Sequence, residues 1–125
     1  SEIVEKKWTR MRAELPSCGA LTNAKSLARI ANVVAMGGTD KETNHKLLSE
    51  EQITAMNEHT GPKYDRVMGG KLIWTKGGFR NLDEWFDIPF TGGCGKGGSF
   101  WGWNVEKQIA VAYVQNGGGY QHVDD

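Results

Sequence analysis

The stretch TGGCGKGGSFWGWNVEKQIAVAYVQN, Thr91 to Asn116, decides the fold. Its first nine residues hold five glycines and a lysine, and they lie between an apolar segment (Trp85 to Phe90) and an aromatic-rich one (Phe100 to Trp103). Glycine is placed where the backbone needs a positive φ or where another group must approach the main chain closely. Inside strand-like sequence, Gly93, Gly95, Gly97, Gly98 and Ser99 therefore read as a glycine-rich loop forming the wall of a site; the alternative is a flexible connection between two strands. Farther on, Ile109 to Val114 is apolar at every position instead of alternating, the pattern of a strand buried on both faces.

Working outward, segments 66–75, 85–91, 97–104 and 107–116 carry β-branched and aromatic residues separated by glycine turns, which predicts an antiparallel meander. Upstream the period changes. Ile3, Val4, Trp8, Met11 and Leu15 recur at helical steps over 2–14 and stop at Pro16. A second helix is capped by Thr22 or Asn23, with an apolar stripe of Leu27, Ile30, Ala31 and Val34 and a stop at Gly37-Gly38. A third begins at Ser49, where Ser49 and Gln52 have capping-box spacing and Leu48 and Ile53 that of a hydrophobic staple; it ends by Thr60-Gly61-Pro62. Helices first and strands last predicts an α+β chain. Residues 1–125 read as one domain, helical over 1–60, strands over 66–116, with a tail over 117–125.

Fifteen Lys and Arg balance fifteen Asp and Glu, so total charge gives no case for nucleic acid or an anionic membrane as partner. No apolar run is long enough for a membrane span, and the charged start SEIVEKKW does not read as a signal peptide. Cys18 and Cys94 are too few for a disulfide scaffold; they are one bridge or two thiols. Neither has a further Cys or His at ligand spacing, so no metal and no other cofactor is expected. His45, His59 and His122 sit in polar surroundings and read as surface.

Three segments, taken together, resemble the C-terminal part of the serine β-lactamase-related hydrolases, the broad family of class C β-lactamases, penicillin-binding esterases and mitochondrial β-lactamase-like proteins. The first runs from Ala13-Glu14-Leu15-Pro16-Ser17 through Thr22-Asn23-Ala24-Lys25-Ser26-Leu27-Ala28-Arg29-Ile30 to Gly37-Gly38. It is similar to that family's "PS…G…T-A-x-S-L-A-R" helix and its glycine stop. The second, Leu47-Leu48-Ser49, looks like the family's "LLS". The third is Gly97-Gly98-Ser99, then Asn104-Val105-Glu106, then Ile109 to Asn116, and it looks like "GGS…D-P-E…L-A-V-A-Y-V-x-N".

The resemblance implies the C-terminal portion of a β-lactamase/transpeptidase-like fold, and a serine acyl-enzyme hydrolase as the whole. Members carry Ser-x-x-Lys, Tyr-x-Asn (or Ser-x-Asn) and a Lys/His-Thr/Ser-Gly triad on the strand edging the site. This chain has neither of the first two. Thr22-x-x-Lys25, Thr43-x-x-Lys46 and Thr60-x-x-Lys63 share only the spacing, the first as a helix cap. Three registers are open for the triad. Gapless alignment on Gly97-Gly98-Ser99 gives Gly93-Cys94-Gly95. A three-residue insertion gives Phe90-Thr91-Gly92, preferred because it follows the strand-like Ile88-Pro89-Phe90. The third, Lys96-Gly97-Gly98, keeps the cation. Site-edge residues are accordingly Thr91, Gly92 and Lys96, with no catalytic set complete.

A serine enzyme needs a base-activated nucleophile and backbone donors for the oxyanion, and only the second can come from a glycine run. The expectation is a segment inactive alone, partnered by the missing N-terminal part of its domain, a second chain or another copy of itself. Two other classes stand beside it: a non-catalytic assembly module of the same fold, and a carbohydrate-binding module stacking sugars on Trp74, Trp85, Trp101 and Trp103, against which stands packing of those rings in a core. Gly95-Lys96-Gly97 is not a phosphate loop, since Phe90 and Gly97 stand where that motif needs glycine and a hydroxyl. The compartment stays open, with a lean toward secreted or organellar.

Overall fold

The computed structural model describes residues 20–95 and 97–116. In chain order they form α1 (Ala24–Ala35), β1 (Thr39–Asp40), β2 (His45–Lys46), α2 (Glu50–Asn57), β3 (His59–Asp65), β4 (Gly70–Thr75), β5 (Arg80–Asn81), a 3-10 turn (Asp83–Trp85), β6 (Thr91–Cys94), β7 (Phe100–Asn104) and β8 (Ile109–Tyr113). Strands β3 to β8 lie side by side in that order, each antiparallel to the next, and β1–β2 is a separate hairpin. The chain is α+β. The helix expected over 2–14, Cys18 and the tail from 117 lie outside the described residues.

The Asn23 side chain caps α1 by accepting from the Ser26 amide at 2.9 Å, and the Gly37 and Gly38 amides bond back to the Val34 and Val33 carbonyls. The buried stripe differs from the expected one. Ala31, Val33, Val34 and Ala35 are buried, whereas Ile30 is 55% exposed. Ala31, Val34 and Ala35 form the core with Trp103. Two alanines allow the helix to lie close to the sheet, so the bulk in that contact comes from the fully buried indole of Trp103.

At α2 both bonds of the capping box form: the Gln52 amide donates to Ser49 Oγ at 3.2 Å, and the Ser49 amide to Gln52 Oε1 at 2.8 Å. Leu48 and Ile53 both pack against the core cluster.

The sheet starts earlier than the expected 66. Gly61-Pro62 reads as a stop, yet both lie within β3. As an edge strand, β3 tolerates proline, which has no N–H to donate. The β3–β4 register shifts between His59 and Pro62, and Gly61 there has φ 78°. Segment 85–91 is not one strand: the 3-10 turn leads to an extended run, and β6 begins at Thr91.

Register sorts the central strands into two faces. Thr91, Trp103 and Ala110 stand opposite one another, as do Gly93, Trp101 and Ala112, and Trp101, Trp103 and Ala110 meet the core that α1 builds. The other face carries Gly92, Gly102 and Val111, then Cys94, Phe100 and Tyr113. The expectation that β8 is buried on both faces needs correction. Ala110, Val111 and Ala112 are half-buried, while Ile109 and Tyr113 are 42% and 48% exposed. Among the described residues no helix covers that second face; aromatic rings from the 83–90 segment shield part of it.

Candidate functional site

The glycine run divides into a strand and a turn. Thr91, Gly92, Gly93 and Cys94 form β6, held between β5 and β7. Gly95 to Ser99 turns the chain: the Gly98 amide donates to the Gly95 carbonyl at 3.1 Å, and the Gly95 amide to the Ser99 carbonyl at 2.8 Å. Ser99 Oγ accepts from the Gln115 amide, a structural contact. The run is therefore strand in its first half and connecting turn in its second. Lys96 lies outside the described residues.

Glycine is required most at Gly92 and Gly102, which face each other across β6 and β7. A Cβ on Gly92 would run into the Trp101 carbonyl oxygen, and one on Gly102 would stand 2.6 Å from that of Thr91. The two backbones approach more closely than strands bearing side chains at these positions could. Phe90 fills the space this leaves on the second face: its ring lies over Gly102 and stacks on Phe86 at 4.4 Å.

Thr91 is 7% exposed, on the α1 side of the sheet. Its Oγ1 lies 3.4 Å from Nε2 of His59, a residue 32 positions earlier at the start of β3. Next to it, Trp103 Nε1 donates to Asn57 Oδ1 at 2.8 Å. The α2–β3 junction thus reaches across to β6 and β7 with two polar side chains, an imidazole on the hydroxyl and an amide on the indole.

These positions bear on the triad registers. In Phe90-Thr91-Gly92 the residue before the hydroxyl is apolar, 2% exposed, and packed against the face opposite Thr91. In Gly93-Cys94-Gly95 the middle residue is an exposed thiol whose Sγ is 3.6 Å from Arg80 Nη1. Arg80 also pairs with Glu84 and lies over the Trp85 ring at 5.5 Å. Sequence reasoning places His59 at the surface, where the structure finds it, and does not anticipate its contact with Thr91. The residue is exposed, but its Nε2 reaches a buried hydroxyl, and no local pattern records a contact made across the sheet.

Of the four tryptophans considered as sugar-stacking platforms, Trp101 and Trp103 pack edge-on against Phe79 in the core, and Trp74 Nε1 donates to Asp65. Trp85 is 48% exposed. Two carboxylates lie apart from Thr91. Asp40 is held below the usual carboxylate range by hydrogen bonds from Arg29 and Thr43, and Asp65 by the Met68 and Val67 amides. Among the described residues no group of three or more His, Cys, Asp or Glu could hold a metal ion, and no helix is long and apolar enough to cross a membrane.

No protein-family model and no curated protein matches the sequence. Solved structures do. A family VIII carboxylesterase superposes with a TM-score of 0.78 and 24% identity, over 97% of this chain and 33% of that one. A novel penicillin-binding protein homologue from Caulobacter crescentus gives 0.74 and 27% identity, over 86% of this chain and 29% of its own. The chain therefore carries part of the serine β-lactamase-like hydrolase fold, and it spans about a third of the length of these structures.

Proposed function

We propose that this chain, as a single partial domain over 1–125, supplies the glycine-rich wall of a serine acyl-transfer site and is inactive alone. One observation carries the reading: a fold shared over 97% of this chain but only a third of a carboxylesterase, in a sequence with no Ser-x-x-Lys or Tyr-x-Asn. The nucleophile and its base come from an N-terminal part of the domain or from a second chain. Here β6 contributes backbone N–H groups toward the developing oxyanion and the Thr91 hydroxyl toward the acyl substrate. Strand amides serve well, because they are already oriented when charge develops and need no reorganisation. Gly92, Gly93 and Lys96 belong to the same wall, and the substrate class is an ester or a β-lactam, in keeping with the two structural neighbours.

The test is turnover of p-nitrophenyl acetate and a chromogenic cephalosporin, first by this chain and then by the protein that includes the sequence upstream of Ser1. The expected result is no turnover above buffer by the chain, and turnover of at least one substrate by the longer protein. Turnover by the chain alone that survives Thr91→Ala would overturn the reading. The assembly alternative draws on Ile109, Tyr113 and Val114, which are 42%, 48% and 37% exposed at and just beyond the last strand. Sedimentation of a clean monomer counts against it.

A further inference from the structure

The hairpin of β3 and β4 carries apolar side chains that the rest of the fold leaves uncovered. Of β4 only Trp74 pairs with β5, so the ladder from Pro62–Ile73 to Asp65–Gly70 continues past β5 as a two-stranded ribbon. At its tip Val67 is 93% exposed and Met68 63%, and Tyr64 just behind them is 66% exposed. The tip is nevertheless fixed. Asp65 Oδ1 accepts from the Val67 and Met68 amides, each at 2.9 Å, and Asp65 Oδ2 from Trp74 Nε1. The Gly69 amide closes the turn on the Asp65 carbonyl. Packing among the described residues does not account for an apolar pair held outward in this way.

Cations surround the tip. Lys71 stands opposite Tyr64 and Lys63 opposite Leu72, which puts one lysine on each face of the ribbon, and Arg66 lies in the turn. All three are exposed, and among the described residues none forms an ion pair. Asp65 is the one acid between 59 and 75, and its carboxylate is taken up by the turn. The even balance of charge over the whole chain therefore hides a local excess of cations at this hairpin.

We propose that the β3–β4 hairpin seats the protein on an anionic lipid surface. Val67 and Met68 enter the boundary between headgroups and acyl chains, while Lys63, Arg66 and Lys71 meet the negative headgroups. The side chains follow the layering of a bilayer: apolar outermost, then an aromatic ring with a polar end, then cations. A protein partner would need a pocket for the projecting tip and acids on both sides of it. A headgroup layer presents negative charge on every side. The proposal stands apart from the hydrolase reading, and its readout is lipid partitioning alone.

The experiment sediments the protein, with its upstream sequence, together with vesicles of phosphatidylcholine alone or of equal parts phosphatidylcholine and phosphatidylserine. Pelleting is expected with the mixed vesicles and not with the neutral ones, and raised salt reverses it. The triple variant Lys63→Gln, Arg66→Gln, Lys71→Gln is expected to weaken partitioning about a hundredfold, near fivefold per cation. Val67→Ser with Met68→Ser is expected to weaken it about tenfold or more. The control Lys25→Gln, Lys41→Gln, Lys107→Gln removes the same charge from exposed positions elsewhere and stays within about threefold of wild type. No pelleting with the mixed vesicles overturns the proposal. So does a control loss equal to that of the hairpin triple, or a serine pair that binds as wild type does.

Discussion

The two faces of the central strands are built differently. On the α1 side, Trp103 is fully buried against Ala31, Val34 and Ala35, and its one polar atom is satisfied by Asn57. On the other side, Trp85, Phe86, Phe90, Phe100 and Tyr113 pack ring on ring, with Trp85 and Tyr113 each 48% exposed. The first is an ordinary helix-on-sheet core. The second fills the hollow over paired glycines with aromatic edges and leaves the outer rings in contact with water. Burial under a helix and burial under neighbouring rings thus coexist on the same three strands, and Thr91 belongs to the first.

The largest effect that would test this contrast is truncation of an indole on each face. Trp103→Ala is expected to cost about 3–5 kcal/mol of unfolding free energy. Trp85→Ala is expected to cost about 1 kcal/mol or less, since half of that ring is already solvated. Equal losses in urea titrations would mean that the second face is as much a core as the first. Next in size is glycine replacement. Gly92→Ala forces β6 from β7 at a cost of about 1–3 kcal/mol. Gly95→Ala meets only the Ser99 carbonyl oxygen at 3.9 Å and is expected within about 0.5 kcal/mol of wild type. Matching values would show that the run is uniform rather than half strand and half turn.

The smallest effect concerns acid and lies outside both faces. Asp40 and Asp65 have folded-state values below their unfolded ones, so each stabilises the fold fully above about pH 4. That contribution is lost as pH falls through the lower folded values. In melting curves between pH 5 and 2, the double variant Asp40→Asn, Asp65→Asn is expected to show a shallower acid decline than wild type. An unchanged decline would assign acid sensitivity to one of the faces instead.

What was legible in the sequence was local. The Ser49–Gln52 box spans three residues, and both partners can be read directly from the chain. The α+β order and strands β4, β7 and β8 followed from period and β-branched content. Strand β3 was hidden by Gly61-Pro62, because whether a proline ends a strand or borders a sheet depends on what lies beside it. The α1 stripe was misplaced at Ile30, since burial there follows how closely the helix approaches Trp103 and not hydrophobicity alone. At β6, glycine has almost no strand propensity of its own, and only the opposing Gly102 explains why two of them belong in a ladder. His59 is the extreme case: its partner is 32 residues away and three strands across.

The sheet order carries one more consequence. Because β3 to β8 lie in the sequence in which they are translated, each strand emerging from the ribosome meets the previous one already in place. With synthesis at about 5–20 residues per second and hairpins closing in microseconds, the ladder can grow at the pace of elongation. Among the described residues, no strand of this sheet has to wait for one made later than its immediate successor.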